Sequence, residues 1–434
     1  MFRRTLALLV AVASAALVAG CASGSPQARA RGEATTTAPA MVAQPNGRGS
    51  TSTSSPLTHA VEVRSEDQLY AAPDPVPDVP HGTLLRYQRV EPGIGGGGPT
   101  YRILYASRSV ADAPIVVSGW VHLPAEGSAG SRDGLPMLGW AHGTTGMADR
   151  CAPSRTLEYV GPADPLVEDG FAVVATDYEG LGTPGLHPYL VGESEGRSVL
   201  DALLAARQLP GVSLSARTVL WGHSQGGHAV AFAHQLAPSW APDLDLLGTV
   251  AIAPPAHISR ALPAAAKLGA PRFAIMTFAG THAAHPDAAL EQILTPEAIG
   301  QLPVLDEACD LGLVRELDGA ADPLVADPST VEPWATYLAE SDPGGAVAPD
   351  PVLIVQGAKD TTVPQRMTRI LAERWCGGGQ ALERWVDPEA GHSTVLQLFP
   401  QMRQWTLDRV SGRPAADGCA DLEAAPPPAP TAGS

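Results

Sequence analysis

The sequence predicts an α/β protein with a mostly parallel central sheet flanked by helices. Three observations carry this expectation. From about residue 135, short apolar runs of strand length alternate with helix-like segments. A G-x-S-x-G stretch, Gly222–Gly226, follows directly on one of the apolar runs. Between Ala253 and Val352 the alternation stops, and it resumes afterwards.

The elements follow in order. Leu84–Val90 and Tyr101–Ser107 are β-like and flank a GGGGP loop, Gly95–Pro99. Met137–Ala141 is a strand ending in His142-Gly143. Asp164–Asp169 is a short helix, and Ala172–Thr176 a strand. Val199, Leu200, Leu203, Leu204 and Leu209 recur at near-helical spacing. Thr218–Gly222 is a strand, and the Ala- and Gly-rich segment from Ser224 to about Leu236 has the composition of a helix packed tightly on a sheet. Gly248–Ala253, Val352–Gln356 and Leu382–Val386 are further strands, with a helix over Gln365–Trp375. Strands separated by helices require crossovers, which are right-handed.

The interval between Ala253 and Val352 holds about 95 residues, far more than a βα connection needs. It contains helix-like pieces, several prolines and one short β-like run, Pro271–Phe278. Because the sheet resumes after it, the surplus reads as a largely helical cap inserted over the sheet, about residues 256–348, rather than a separate domain. The main domain spans residues 57–420.

Both ends differ from this domain. Arg3 and Arg4 precede an apolar run, Leu6–Val18, too short for a permanent membrane span. Val18-Ala19-Gly20-Cys21 then resembles a bacterial lipobox. Residues 1–20 read as a signal peptide and Cys21 as the lipidated N-terminus, placing the protein outside the cell on a lipid anchor. Residues 22–56 are almost wholly Ala, Ser, Thr, Gly, Pro and Gln, a composition that cannot offset its ordering entropy, and read as a disordered tether. Residues 421–434 read as a disordered tail.

The formal net charge of −17 and the lack of basic runs exclude a nucleic-acid partner. Beyond Cys21, an even set of cysteines remains: Cys151, Cys309, Cys376 and Cys419. In an exported chain this implies disulfides, with the pairing open at this level. None stands in C-x-x-C spacing, and the His282/His285 pair offers too few ligands, so no metal is expected.

Gly222-His223-Ser224-Gln225-Gly226 sits between a strand and a helix, the context of a nucleophile elbow. Glycines belong at its tight positions, where a Cβ would clash. A serine hydroxyl needs a base. In a strand-elbow-helix arrangement the partners follow in the order serine, acid, histidine. Asp360 lies in a loop just after a strand, in VLIVQGAKDTTVP, and His392 in a loop after the last strand, in WVDPEAGHST. Asp387 is a rival acid, but it lies too close in sequence to orient the same imidazole. His142, His223 and His228 read as structural. For the oxyanion, the amide of Gln225 is one donor. The second comes from AHGTTG, residues 141–146, where Thr144 is the choice over Thr145. Asp177-Tyr178-Glu179-Gly180 reads equally as a pocket wall or a turn.

Taken together, WAHGTTGMADRCAPS, ATDYEGLGTPGLHPYL, GRSVLDALLAAR, WGHSQGGHA and VQGAKDTTVP…AGHSTV resemble the secretory lipase family of α/β-hydrolases over roughly residues 70–410. The resemblance implies an α/β-hydrolase fold with a helical lid and cofactor-free hydrolysis of carboxylic esters, often acylglycerols. It implies the triad Ser224, Asp360 and His392. It also implies Cys151 paired with Cys309 and Cys376 with Cys419. The GGGG loop and the lipobox depart from the secreted fungal pattern. Three other readings stay open: an acyltransferase, a peptidase on the same scaffold, or a non-catalytic surface lipoprotein.

Overall fold

In the computed structural model the described residues are 60–422, apart from 92, 95–97, 126–133, 158–162, 319–320 and 421. The signal peptide, Cys21, the tether, most of the GGGG loop and nearly all of the C-terminal tail lie outside them.

Among the described residues ten strands form one sheet: β1 Val61–Glu62, β2 Leu84–Val90, β3 Thr100–Arg108, β4 Pro114–His122, β5 Leu135–Ala141, β6 Ala172–Thr176, β7 Leu214–His223, β8 Asp245–Ile252, β9 Val352–Gly357 and β10 Leu382–Asp387. Their order is β1-β2-β3-β4-β6-β5-β7-β8-β9-β10. From β6 through β10 all neighbours run parallel, whereas β2/β3, β3/β4 and β4/β6 are antiparallel. β4, with its apolar PIVVSGWVH, goes beyond the strands expected from the sequence.

Both faces of the sheet are buried, and alternation along each strand decides which core a side chain joins. Met137 and Ala141 of β5 face the core built with the helices Gly192–Ala206 and Gln225–Trp240. Leu138 and Trp140 face the opposite core, which includes Leu166, Val167, Met402 and Trp405.

β5 pairs with β6 on one side and β7 on the other. The chain reverses its direction of strand addition there, so the loops leaving the two strands diverge and open a crevice at their carboxyl ends. That crevice receives His142–Gly146 from β5 and Ser224 from β7.

The segment between β8 and β9 is helical, with helices at Ile258–Lys267, Pro271–Ala284, Pro296–Gln301, Asp310–Leu317 and Trp334–Glu340. The β-like run at Pro271–Phe278 is therefore corrected to helix. Pro271 sits in its first turn, and Ala274 to Thr281 are all buried, so the apolar run carries no 3.6-residue period to distinguish it from a buried strand. This segment has its own core, including Ile275, Phe278, Leu305 and Trp334, and shares it with Met147, Tyr189 and Leu190 from loops of the sheet. The disulfide Cys151–Cys309 joins the segment to the loop after β5, and Cys376–Cys419 ties the helix Gln365–Gly377 to the chain's end.

Candidate active site

Ser224 is the hinge between β7 and the helix Gln225–Trp240, with φ 58° and ψ −120°. A non-glycine residue holds such a backbone only when its surroundings over-determine it. Here they do. Its amide donates to the Ile252 carbonyl at 2.9 Å, and its carbonyl accepts from the His228 amide at 3.1 Å. A Cβ on Gly222 would lie 2.0 Å from the Gly226 carbonyl oxygen, and one on Gly226 would lie 1.9 Å from that of Ala141. Only glycine permits this approach.

The loops after β9 and β10 meet at this hinge. His392 Nε2 is 2.9 Å from Ser224 Oγ, and His392 Nδ1 is 2.8 Å from Asp360 Oδ2. Asp360 is buried, and its Oδ1 accepts the Thr362 and Val363 amides at 2.9 and 2.8 Å. Surrounded by donors, this carboxylate acts as an acceptor only, so the proton on His392 sits on Nδ1 and leaves Nε2 free to accept from the serine. Asp387 turns elsewhere: it accepts the Glu389 and Ala390 amides and the Gln397 side chain, and backbone hydrogen bonding holds its carboxyl below the usual range.

His142, His223, His282 and His285 each have protein partners. His142 faces two carbonyls, those of Gly143 and Asp177, and burial lowers its pKa to about 4. His223 Nε2 donates to the His392 carbonyl at 2.9 Å; burial, then the neighbouring His392, lowers its pKa to about 4. His282 meets the Ala288 carbonyl, and His285 stacks on Tyr337.

The loop after β5 passes against the hinge: a Cβ on Gly143 would stand 3.7 Å from that of Ser224. Thr144 is half-buried, and its hydroxyl lies 2.8 Å from that of Tyr189. The Thr145 hydroxyl is buried without a partner among the described residues. Gln225 opens the elbow helix, so its amide is one of the first-turn donors without an intrahelical acceptor. Asp177-Tyr178-Glu179 forms a buried turn. Asp177 accepts from Ser118 and Ser154, and the Tyr178 hydroxyl donates to the His142 carbonyl.

Ser224 opens on an apolar cavity walled by Tyr189, Leu190, Ile258, Leu262, Phe273, Val363 and Met367. Three of these walls, Ile258, Leu262 and Phe273, come from the helical segment between β8 and β9. Sequence reasoning did not single out these residues, nor Tyr189 and Leu190, because nothing in their local pattern points to the serine.

A mostly parallel sheet with helices on both faces and a serine-histidine-aspartate chain at its strand ends defines an α/β-hydrolase. The secretory lipase family model matches residues 162–309 and 336–418, and the chain belongs to that family. It is 27% identical to a probable inactive lipase of Mycobacterium tuberculosis, covering 81% of this chain and 84% of that one. It is 24% identical to a secreted triacylglycerol lipase of Malassezia globosa, covering 82% and 83%. Among solved structures, Candida antarctica lipase A superposes with a TM-score of 0.70 at 19% identity, covering 83% of this chain and 89% of that chain. The rice cell wall degrading esterase LipA of Xanthomonas oryzae superposes with 0.62 at 20% identity, covering 77% and all of that chain.

Proposed function

We propose that this protein is an exported serine carboxylic-ester hydrolase acting on lipid esters, tethered to the membrane's outer face through lipidated Cys21. The observation that carries the hydrolase reading is the unbroken chain of hydrogen bonds Ser224–His392–Asp360 opening on an apolar cavity.

Ser224 Oγ attacks the ester carbonyl while His392 Nε2 takes its proton. The amides of Gln225 and Thr144 hold the developing oxyanion at the helix N-terminus. Thr144 is favoured over Thr145 because its hydroxyl reaches Tyr189 on the cavity wall. The alcohol leaves with the proton from His392. Water, deprotonated by the same ring, then frees the acid and restores the serine. Asp360 holds the ring's tautomer and stabilises the imidazolium. The apolar wall favours an acyl chain over a charged peptide. The name of the Malassezia relative, a triacylglycerol lipase, favours acylglycerols.

A second reading, a catalytically silent member, is favoured by the name of the Mycobacterium relative. One experiment separates the two. The protein and its Ser224→Ala variant are assayed on p-nitrophenyl esters from acetate to palmitate and on emulsified triacylglycerol, and both are treated with a fluorophosphonate. The hydrolase reading expects activity and labelling in the parent alone. A parent that neither labels nor hydrolyses any ester is the silent member.

A further inference from the structure

Behind the serine lies a buried carboxylate for which the triad has no use. Glu195, fully buried in the first turn of the helix Gly192–Ala206, has no arginine or lysine partner among the ion pairs of the described residues. Burying a carboxylate without compensation is costly, so its partners show what it is held for. Its Oε1 accepts the Leu190 amide at 3.0 Å and Gln225 Nε2 at 2.8 Å. Its Oε2 lies 2.7 Å from His228 Nδ1.

Each partner belongs to the surroundings of Ser224. Leu190, held at φ 57°, lines the cavity. Gln225 follows the serine and offers the amide assigned to the oxyanion. His228 stands one turn along the same helix, its amide bonded to the Ser224 carbonyl. Its Nε2 reaches the Ser341 carbonyl at 2.8 Å, just past the insertion's last helix, Trp334–Glu340. Both ring nitrogens of His228 therefore face oxygens, and one proton lies between Nδ1 and Oε2.

Among the described residues, the Gln225 side chain is fixed through its nitrogen. Nε2 donates to Glu195 and, at 2.7 Å, to His187 Nε2, whose Nδ1 donates to the Glu179 carbonyl. Gln225 Oε1 has no partner among the described residues. The carboxylate thus dictates which end of the amide points inward, and with it the setting of the residue that carries the oxyanion donor.

We propose that Glu195 is a positioning residue for ester hydrolysis: it fixes Gln225, and so the oxyanion amide, while tying the cavity wall at Leu190 and the root of the insertion to the same point. This rests on the hydrolase reading above. A donor displaced by about an ångström loses on the order of a hundredfold in rate without weakening substrate binding. The effect therefore falls on kcat.

The test compares the parent with Glu195→Ala, Glu195→Gln and Gln225→Met on a soluble p-nitrophenyl ester, well below each variant's Tm. Glu195→Ala is expected to lower kcat about ten- to a hundredfold with KM little changed. Glutamine can accept from Leu190 and Gln225 and donate to a neutral His228, so Glu195→Gln is expected to recover most of the loss. Gln225→Met keeps the backbone amide and should lower kcat in the same sense; it decides the matter if Glu195→Ala does not fold. A kcat equal to the parent's in Gln225→Met, or a loss confined to KM or to Tm, overturns the role of Glu195 and leaves the hydrolase reading standing. A parent without activity or fluorophosphonate labelling overturns both.

Discussion

His223 Nε2 donates to the backbone carbonyl of His392 at 2.9 Å, so the residue before Ser224 holds the loop that carries the histidine facing the serine hydroxyl. The rings lie 4.8 Å apart, and burial keeps His223 uncharged beside its neighbour above a pH of about 4. His223→Phe retains the ring's bulk and removes the donor. It should lower kcat about tenfold by loosening His392, with KM little affected. An unchanged kcat would mean that the bond from Gly391 to Thr394 holds the loop by itself.

Asp360 tests the tautomer argument. In Asp360→Asn the side-chain oxygen can still accept from Thr362 and Val363, so the loop should persist. The amide nitrogen then faces His392 Nδ1 and drives the proton to Nε2, where it blocks attack. A fall in kcat of about 10⁴-fold with a near-parental Tm is expected from ester assays and calorimetry. A loss of only a few-fold would return Asp387 to consideration.

The Cys151–Cys309 disulfide closes a loop with a sequence separation of 158. It lies beside the loop after β5, where Asp310 donates to the Thr145 carbonyl at 2.9 Å. Replacing both cysteines by serine should cost about 2–5 kcal/mol in chemical denaturation. It should also lower kcat more than the Cys376/Cys419 double replacement, whose bridge lies at the chain's end. Equal effects on kcat would show that the disulfide does not act through the loop after β5.

Acid should destabilise the fold through its buried histidines. Burial lowers His142, His223 and His234 to about 4 from the usual value near 6.5. Between those pH values the unfolded chain binds more protons than the folded one, so their contribution is present above about 6.5 and is lost as pH falls towards 4. Asp350 acts in the opposite sense: burial, then Asp245, raises it to about 6, which favours the fold at low pH. His234, between Thr249 and Gln380 and outside the serine's surroundings, isolates the histidine effect. Tm should fall less steeply from pH 6.5 to 4 in His234→Gln than in the parent; equal slopes would refute this.

The elbow, the chain order of Ser224, Asp360 and His392, and the parallel strands that present them were legible in the sequence because each is a local pattern. A strand, a glycine pair and a serine sit side by side, and each partner follows its own strand. The family resemblance supplied the cysteine pairing, which even counting left open. Pro271–Phe278 was misleading for the opposite reason: from Ala274 onward it is buried on every side, so neither period shows.

Chain order pointed to His392 among the histidines, and tertiary structure alone set how closely it meets the serine and the carboxylate. His142, His223, His228 and His392 are all near glycines in sequence, and only packing sets one ring 2.9 Å from Ser224 Oγ. It also separated Glu193 from Glu195, two carboxylates in the same helical turn. Glu193 is half exposed beside Arg197, whereas Glu195 is sealed beneath the elbow helix. Both have the same residue type and the same intrinsic chemistry. What differs is the face of the helix turned to the protein interior, a property of the assembled layers and not of the local sequence.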